Sequence, residues 1–223
     1  MSQPSQLRGT AAARRPFATR TLVDAVHPAR AEVEAYIAHI YLQRYGAVLR
    51  SFLPHLMVYR DESGAMRAAV GLRRGGEGAF FVEQYLDAPA EQAIAASTGR
   101  VPLREHVVEV GNFAASSAGD AREMILQLTA SLHAEGLRWV VFAATRQLRN
   151  AFDRLHLSPV ELAEASSDRL HGDHSDWGSY YDAQPRVMFG DIAGGHAYLA
   201  RMAASTTDDR PVTAFNLRMA MAT

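Results

Sequence analysis

Apolar residues recur at two spacings along this chain, and the switch between them marks out its elements. Residues 107–150 read VVEVGNFAASSAGDAREMILQLTASLHAEGLRWVVFAATRQLRN. Residues 107–113 form a short, mostly apolar strand pattern, and 114–120 a loop of small residues. Residues 121–135 carry Met124, Ile125, Leu128 and Leu132 on one helical stripe. Gly136 suits the position just past a helix end, and residues 137–144 read as a second buried strand. This strand–loop–helix–strand unit is expected to be a right-handed parallel crossover if both strands share a sheet.

The flanking pattern is consistent with a larger α/β layer around that unit. Residues 21–23 suit a first strand, and Pro28 suits the first turn of a helix continuing to about Tyr45. Val33, Tyr36, Ile37, Ile40 and Tyr41 are its apolar stripe. Two strand-like runs, 55–60 and 65–73, flank Asp61-Glu62-Ser63-Gly64 and predict an antiparallel hairpin. Residues 80–85 are apolar around one acid, Glu83, and 90–97 form a short helix closed by Gly99. Beyond the central unit, residues 147–155 read as helical, with Leu148, Ala151, Phe152 and Leu155 at helical spacing. Residues 160–163 and 187–190 read as strands, and 171–176 as a polar loop. The organisation expected is a flexible tail over 1–19, a single domain over 20–200 and a C-terminal tail over 201–223.

Composition narrows the chemistry. The 223 residues are 48% hydrophobic, enough for a well-buried core, and carry a net charge of −1. That balance gives no electrostatic case for nucleic acid or an anionic membrane surface. There is no cysteine, which removes disulfides, thiolate metal sites and a cysteine nucleophile. All 23 basic residues are arginine, so no Schiff-base lysine is available. No run of 18 apolar residues suggests a membrane span. The Arg-rich N-terminus lacks the apolar middle of a secretion signal, and a cytoplasmic location is the expectation.

Candidate chemistry gathers in the central unit. Ser116-Ser117-Ala118-Gly119 lies where the first strand feeds the helix, leaving backbone N–H groups free for an anion at the positive helix end. Strict strand alternation puts Glu109 on one face with Val107 and Gly111, and Asn112 on the other with Val108 and Val110. Arg149 and Asn150 follow the second strand, near the carboxyl end at which α/β sheets collect ligands. Structural alternatives stand beside these. Glu83 and Glu109 could pair with Arg73 and Arg104, and Asn150 could cap its helix. His171, His174 and Asp176 make too sparse a set for a metal site, so none is expected. Ser117 lacks the glycine-flanked elbow of a hydrolase nucleophile.

The order of hairpin, strand, small-residue loop, helix and strand, followed by Asn150-Ala151-Phe152, resembles the GCN5-related N-acetyltransferase fold. A second resemblance covers residues 25–190 and is to the thermostable hemolysin family. It rests on Arg44-Tyr45-Gly46-Ala47, Gly71-Leu72-Arg73, FVEQYLD over 81–87, Glu109-Val110-Gly111-Asn112-Phe113, Trp177-Gly178-Ser179-Tyr180-Tyr181 and Pro185-Arg186-Val187. A weaker one, to acyl-homoserine-lactone synthases, uses Gly71-Leu72-Arg73 and the stretch 109–113. These imply an α/β acyltransferase-like fold with a mixed, twisted sheet and helices on both faces. They imply an N-acyltransferase moving an acyl group from coenzyme A, or from the phosphopantetheine of an acyl-carrier protein, to a small amine.

Under that reading Glu109 or Glu83 is the base, the oxyanion meets backbone N–H groups near Phe113 to Ala115 or the Asn112 amide, and Tyr181, or its neighbour Tyr180, is a general acid. Phe113, Ala114, Ala115, Ser116, Ser117, Gly119, Asp120, Ala121, Arg122, Arg149 and Asn150 would hold the donor. Arg73, Arg44, Trp177 and Tyr180 would face the acceptor. No tightly bound cofactor is implied. A membrane-active lysin, as the family name suggests, and a non-catalytic acyl-binding module are the rival readings. A lysin should show an exposed apolar helix or patch.

Overall fold

A computed structural model describes residues 17–170 and 174–208. Its elements are β1 (Thr19–Val23), α1 (Arg30–Tyr45), β2 (His55–Arg60), β3 (Met66–Arg74), α2 (Ala90–Thr98), β4 (Val107–Ala115), α3 (Ala118–Ala134), β5 (Trp139–Ala144), α4 (Arg146–Arg154), β6 (Val160–Glu164), β7 (Arg186–Asp191) and α5 (Ile192–Asp208). The apolar run at 80–85 is a 3₁₀ turn, Phe81–Tyr85. One sheet takes all seven strands in the order β1-β2-β3-β4-β5-β7-β6. Its one parallel pair is β4 with β5, the predicted crossover. The predicted hairpin is β2 and β3, paired antiparallel from His55–Leu72 onward.

Side chains sort to the two faces by alternation. Val33, Ile37 and Tyr41 of α1 pack with Leu56, Val58, Ala69 and Ala114 on one face. On the same side Ala90 and Ile94 of α2 meet Val107, Val141, Val187 and Phe189. Met124, Leu128 and Leu132 of α3 cover the other face, against Met57, Val70, Val108 and Phe142. Burying an aliphatic side chain contributes about 1.5–3 kcal/mol, so these stripes hold the layers in place. Among the described residues, no helix is long and apolar enough to cross a membrane.

Three boundaries differ from the sequence expectation. β4 runs on through Ala115 and α3 begins at Ala118, so the seven-residue loop shrinks to Ser116 and Ser117. The reason is capping: Ser117 Oγ accepts from the Asp120 backbone N–H, closing the first turn three residues early. At the C-terminus, α5 extends to Asp208 through the stretch expected to be tail from 201; residues 209–223 lie outside the described part. At the other end, Phe17 is buried against Tyr59 and Thr19 already pairs with Arg60, within the stretch expected to be tail; residues 1–16 lie outside the described part.

A bulge in β4 sets up the site. Ala69 pairs with Ala114 but Gly71 pairs with Gly111, so β4 carries one extra residue there. Asn112 takes φ 48°, in the left-handed region that asparagine tolerates. The alternation flips across it: Val110 faces α3, whereas Ala114 faces α1. β4 and β5 pair only from Val107–Trp139 to Val110–Phe142. Beyond that point β4 stays with β3 and β5 with β7, and the sheet opens between them.

Candidate functional site

That opening holds a cavity of about 450 Å³, within the range of small-molecule sites. It passes through the sheet. On the α1 side its wall includes Arg73, Phe81, Glu109, Asn112, Trp177 and Tyr180. On the α3 side it is lined by Leu128, Leu132, Phe142, Phe152, Leu157 and Gly195. One end gathers Arg73, Glu109 and Asn112; the other is a mainly apolar slot between α3, α4 and α5, with Thr129, Ser158 and Asp191 also on the wall.

Glu109 is only 1% exposed. Its carboxylate accepts the backbone N–H of Phe81 at 2.9 Å and of Val82 at 2.8 Å. Burial raises its pKa above the ordinary carboxylate value; these two hydrogen bonds and the Arg73 charge oppose the rise without cancelling it. Each oxygen uses one lone-pair direction on the turn and keeps another. Asn112, read as facing away from Glu109, lies on the same cavity wall because the bulge rotates it. Its Oδ1 accepts the Leu53 N–H at 2.9 Å. Arg73 also lines the cavity, with Nη1 donating to the Ala79 carbonyl at 2.5 Å and Nε buried without a partner among the described residues.

Glu83, the other candidate base, is committed elsewhere. It is ion-paired with Arg104 and accepts the Phe80 N–H at 2.8 Å and the Ala90 N–H at 2.9 Å. Burial pushes its pKa up, but the Arg104 hydrogen bond and those backbone donors outweigh it and leave it below the usual value. Arg104 in turn binds Glu91 at 2.7 Å and lies 4.2 Å over the Phe80 ring. This node anchors the turn that presents Phe81 and Val82 to Glu109. Tyr181 is not on the cavity wall: its hydroxyl is 2.6 Å from that of Tyr85, and burial pushes its pKa up to about 12. Trp177 and Tyr180 do line the cavity, 5.2 Å apart between ring centres.

The expected anion loop is already closed. Ser117 Oγ donates to Asp120 Oδ2 at 2.7 Å, and Arg67 pairs with the same oxygen at 2.9 Å. The helix end that should welcome a phosphate therefore holds its own buried carboxylate. Ser116 bonds Tyr36, Ala114 and Ala115 belong to β4, and Gly119 and half-exposed Arg122 line neither cavity. Arg149 donates to the carbonyls of Ala144 and Gln184, both at 2.8 Å, and so ties β5 to the segment before β7. Asn150 is an exposed mid-helix residue, not a cap; Thr145 holds the cap position of α4. Arg44, Phe113 and Ala121 line a smaller recess beside the main cavity. Of the polar loop at 171–176, residues 171–173 lie outside the described part; Asp176 accepts from Arg50 at 2.9 Å.

Sequence reading passed over the segment 49–53, although Leu49, Ser51, Phe52 and Leu53 all line the cavity. It has no periodicity to betray it. The Gly-Asn pair inside β4 was the available sign of the bulge.

The fold that carries this site is shared with solved structures that include an acyl-homoserine lactone synthase and an N-acyl amino acid synthase. TofI, solved both in an apo form and in a complex with an inhibitor and MTA, superposes in its apo form with a TM-score of 0.57 at 17% identity. That match covers 82% of this chain and 96% of TofI. FeeM, an N-acyl amino acid synthase from uncultured soil microbes, gives 0.52 at 11% identity, over 82% of this chain and 99% of FeeM. MesI, a CoA-dependent acyl-homoserine lactone synthase, gives 0.50 at 15%, over 83% and 95%. The architecture is thus the GNAT-like acyltransferase fold. Residues 23–196 match the family model for thermostable hemolysin, and the chain belongs to that family. No curated protein matches it in sequence.

Proposed function

We propose that the protein is an N-acyltransferase that moves a fatty acyl group from a phosphopantetheine thioester to a small amine. The observation that carries this reading is the through-sheet cavity, polar around Glu109 and mainly apolar between α3 and α5. The acyl chain occupies the slot lined by Leu128, Leu132, Phe152 and Leu157, and its thioester stops where β4 and β5 part.

The acceptor amine enters on the α1 side, past Trp177 and Tyr180. Its nitrogen lone pair adds to the thioester carbonyl, and its proton passes to Glu109 directly or through one water. With Asn112 Oδ1 engaged by Leu53, the amide NH₂ end is what remains to meet the tetrahedral oxyanion. Collapse of the intermediate breaks the C–S bond, and the thiolate leaves and takes up a proton. Arg73 faces an anionic group of the acceptor. Fold neighbours support the class: one is a CoA-dependent acyl-homoserine lactone synthase and another an N-acyl amino acid synthase.

A chain-length series tests the slot. Thiol release from acetyl to palmitoyl thioesters, with amino acids as acceptors, is expected to favour medium or long chains and to require the amine. Gly195 has room for a side chain: an added Cβ meets Leu157 at 3.8 Å and Thr129 at 3.9 Å, both on the slot wall. Gly195→Leu should shift the preference to shorter chains. An unshifted optimum would remove the acyl chain from this slot.

A further inference from the structure

Resting on the acyl-donor reading above, we infer that the donor's phosphate binds at the start of α4, between Thr145 and Arg44, and not at the turn before α3. The recess there, about 40 Å³, is lined by Tyr41, Arg44, Thr145, Gln147 and Tyr180, with Phe113 and Ala121. A water needs about 10–15 Å³ of such space, so the recess takes a group of a few heavy atoms. It shares Tyr41, Phe113, Ala143, Leu148 and Tyr180 with the large cavity, so an arm anchored in one reaches into the other.

Thr145 is the second sign that the recess is built for a ligand. Only 6% exposed and on the recess wall, it sits at the cap position of α4, yet its hydroxyl does not close on the helix. It has no hydrogen-bond partner among the described residues. The first N–H groups of this nine-residue helix therefore keep their donors free, and its first turn holds no acid. Arg44 adds a positive charge that makes a long hydrogen bond, 3.4 Å, to the Ala115 carbonyl, and it has no carboxylate partner among the described residues.

The contrast with α3 is direct. There the cap hydroxyl is bound to Asp120 and the buried carboxylate takes the place of an incoming anion. Two helix starts lie beside the cleft: one satisfied by its own acid, the other left open next to an arginine. A phosphate monoester or diester on a pantetheine arm fits the second.

Binding of decanoyl-pantetheine and decanoyl-4′-phosphopantetheine, compared by calorimetry on the full chain, tests this. Charge-assisted hydrogen bonds should make the phosphorylated probe at least about tenfold tighter. That ratio should fall toward one in Thr145→Val and in Arg44→Gln, and persist in Ser117→Ala. Because each ratio is taken within one variant, a general loss of stability does not mimic it. Equal affinity for both probes in the wild type, or a ratio lost only in Ser117→Ala, overturns the inference while leaving the donor reading intact. Failure of either probe to bind overturns both. Decanoyl-coenzyme A and a decanoyl-carrier protein, run beside them, distinguish the two natural sources: a gain over the phosphopantetheine probe for one identifies it.

Discussion

At the scale of single residues, two glutamates within one hydrogen-bond network have opposite electrostatics. Glu83 is held down by Arg104 and backbone donors, so its contribution to stability is present above the unfolded-state pKa and is lost as pH falls through the folded one. Glu109 is raised by burial, so acidification through its folded pKa favours the folded protein. Only Glu109 lines the cavity, and a raised carboxylate is the better base near neutrality. Its role predicts a kcat/KM that falls on acidification with a midpoint above the ordinary carboxylate range. In Glu109→Gln that acid limb should vanish and the rate should drop by about 10²–10⁴-fold. A pH–rate profile identical to wild type would take Glu109 out of proton transfer. The sequence placed an acid here but not its partners, because the donors come from a 3₁₀ turn nearly thirty residues upstream.

At the scale of elements, the bulge in β4 is the feature most worth perturbing. Gly71 permits it: a Cβ there would stand 2.8 Å from Asn112 Oδ1 and 2.9 Å from Leu53 Cβ. Gly71→Ala should force these groups apart, break the Leu53–Asn112 bond and cost about 1–3 kcal/mol, read as a lower Tm. A melting curve superimposable on wild type would mean that the bulge relaxes freely. Periodicity located the hairpin, the crossover strands and α4, since each buries one stripe. It missed the bulge, because alternation read strictly admits no extra residue. It started α3 late, because Ser-Ala-Gly read as loop although Ser117 and Asp120 have cap spacing. It ended the fold early, because the small and polar residues from 201 onward read as tail, whereas α5 runs to Asp208.

At the scale of the molecule, function follows from where the sheet parts. In the seven-stranded sheet the parallel neighbours β4 and β5 diverge beyond Val110–Phe142, and both helical layers border the opening. The polar groups come from β3, β4 and the loops on the α1 side, and the apolar slot from α3, α4 and α5. Family resemblance made the fold legible; the closing of the α3 turn by Asp120 was not, since that turn looked open in sequence. The most direct measurement is mass spectrometry of the products formed by purified protein from a decanoyl thioester and a mixture of amino acids. The account predicts an N-decanoyl amide formed one-for-one with free thiol, and a strongly reduced yield with Glu109→Gln. Free thiol with fatty acid but no amide, or no turnover of any thioester, would contradict it.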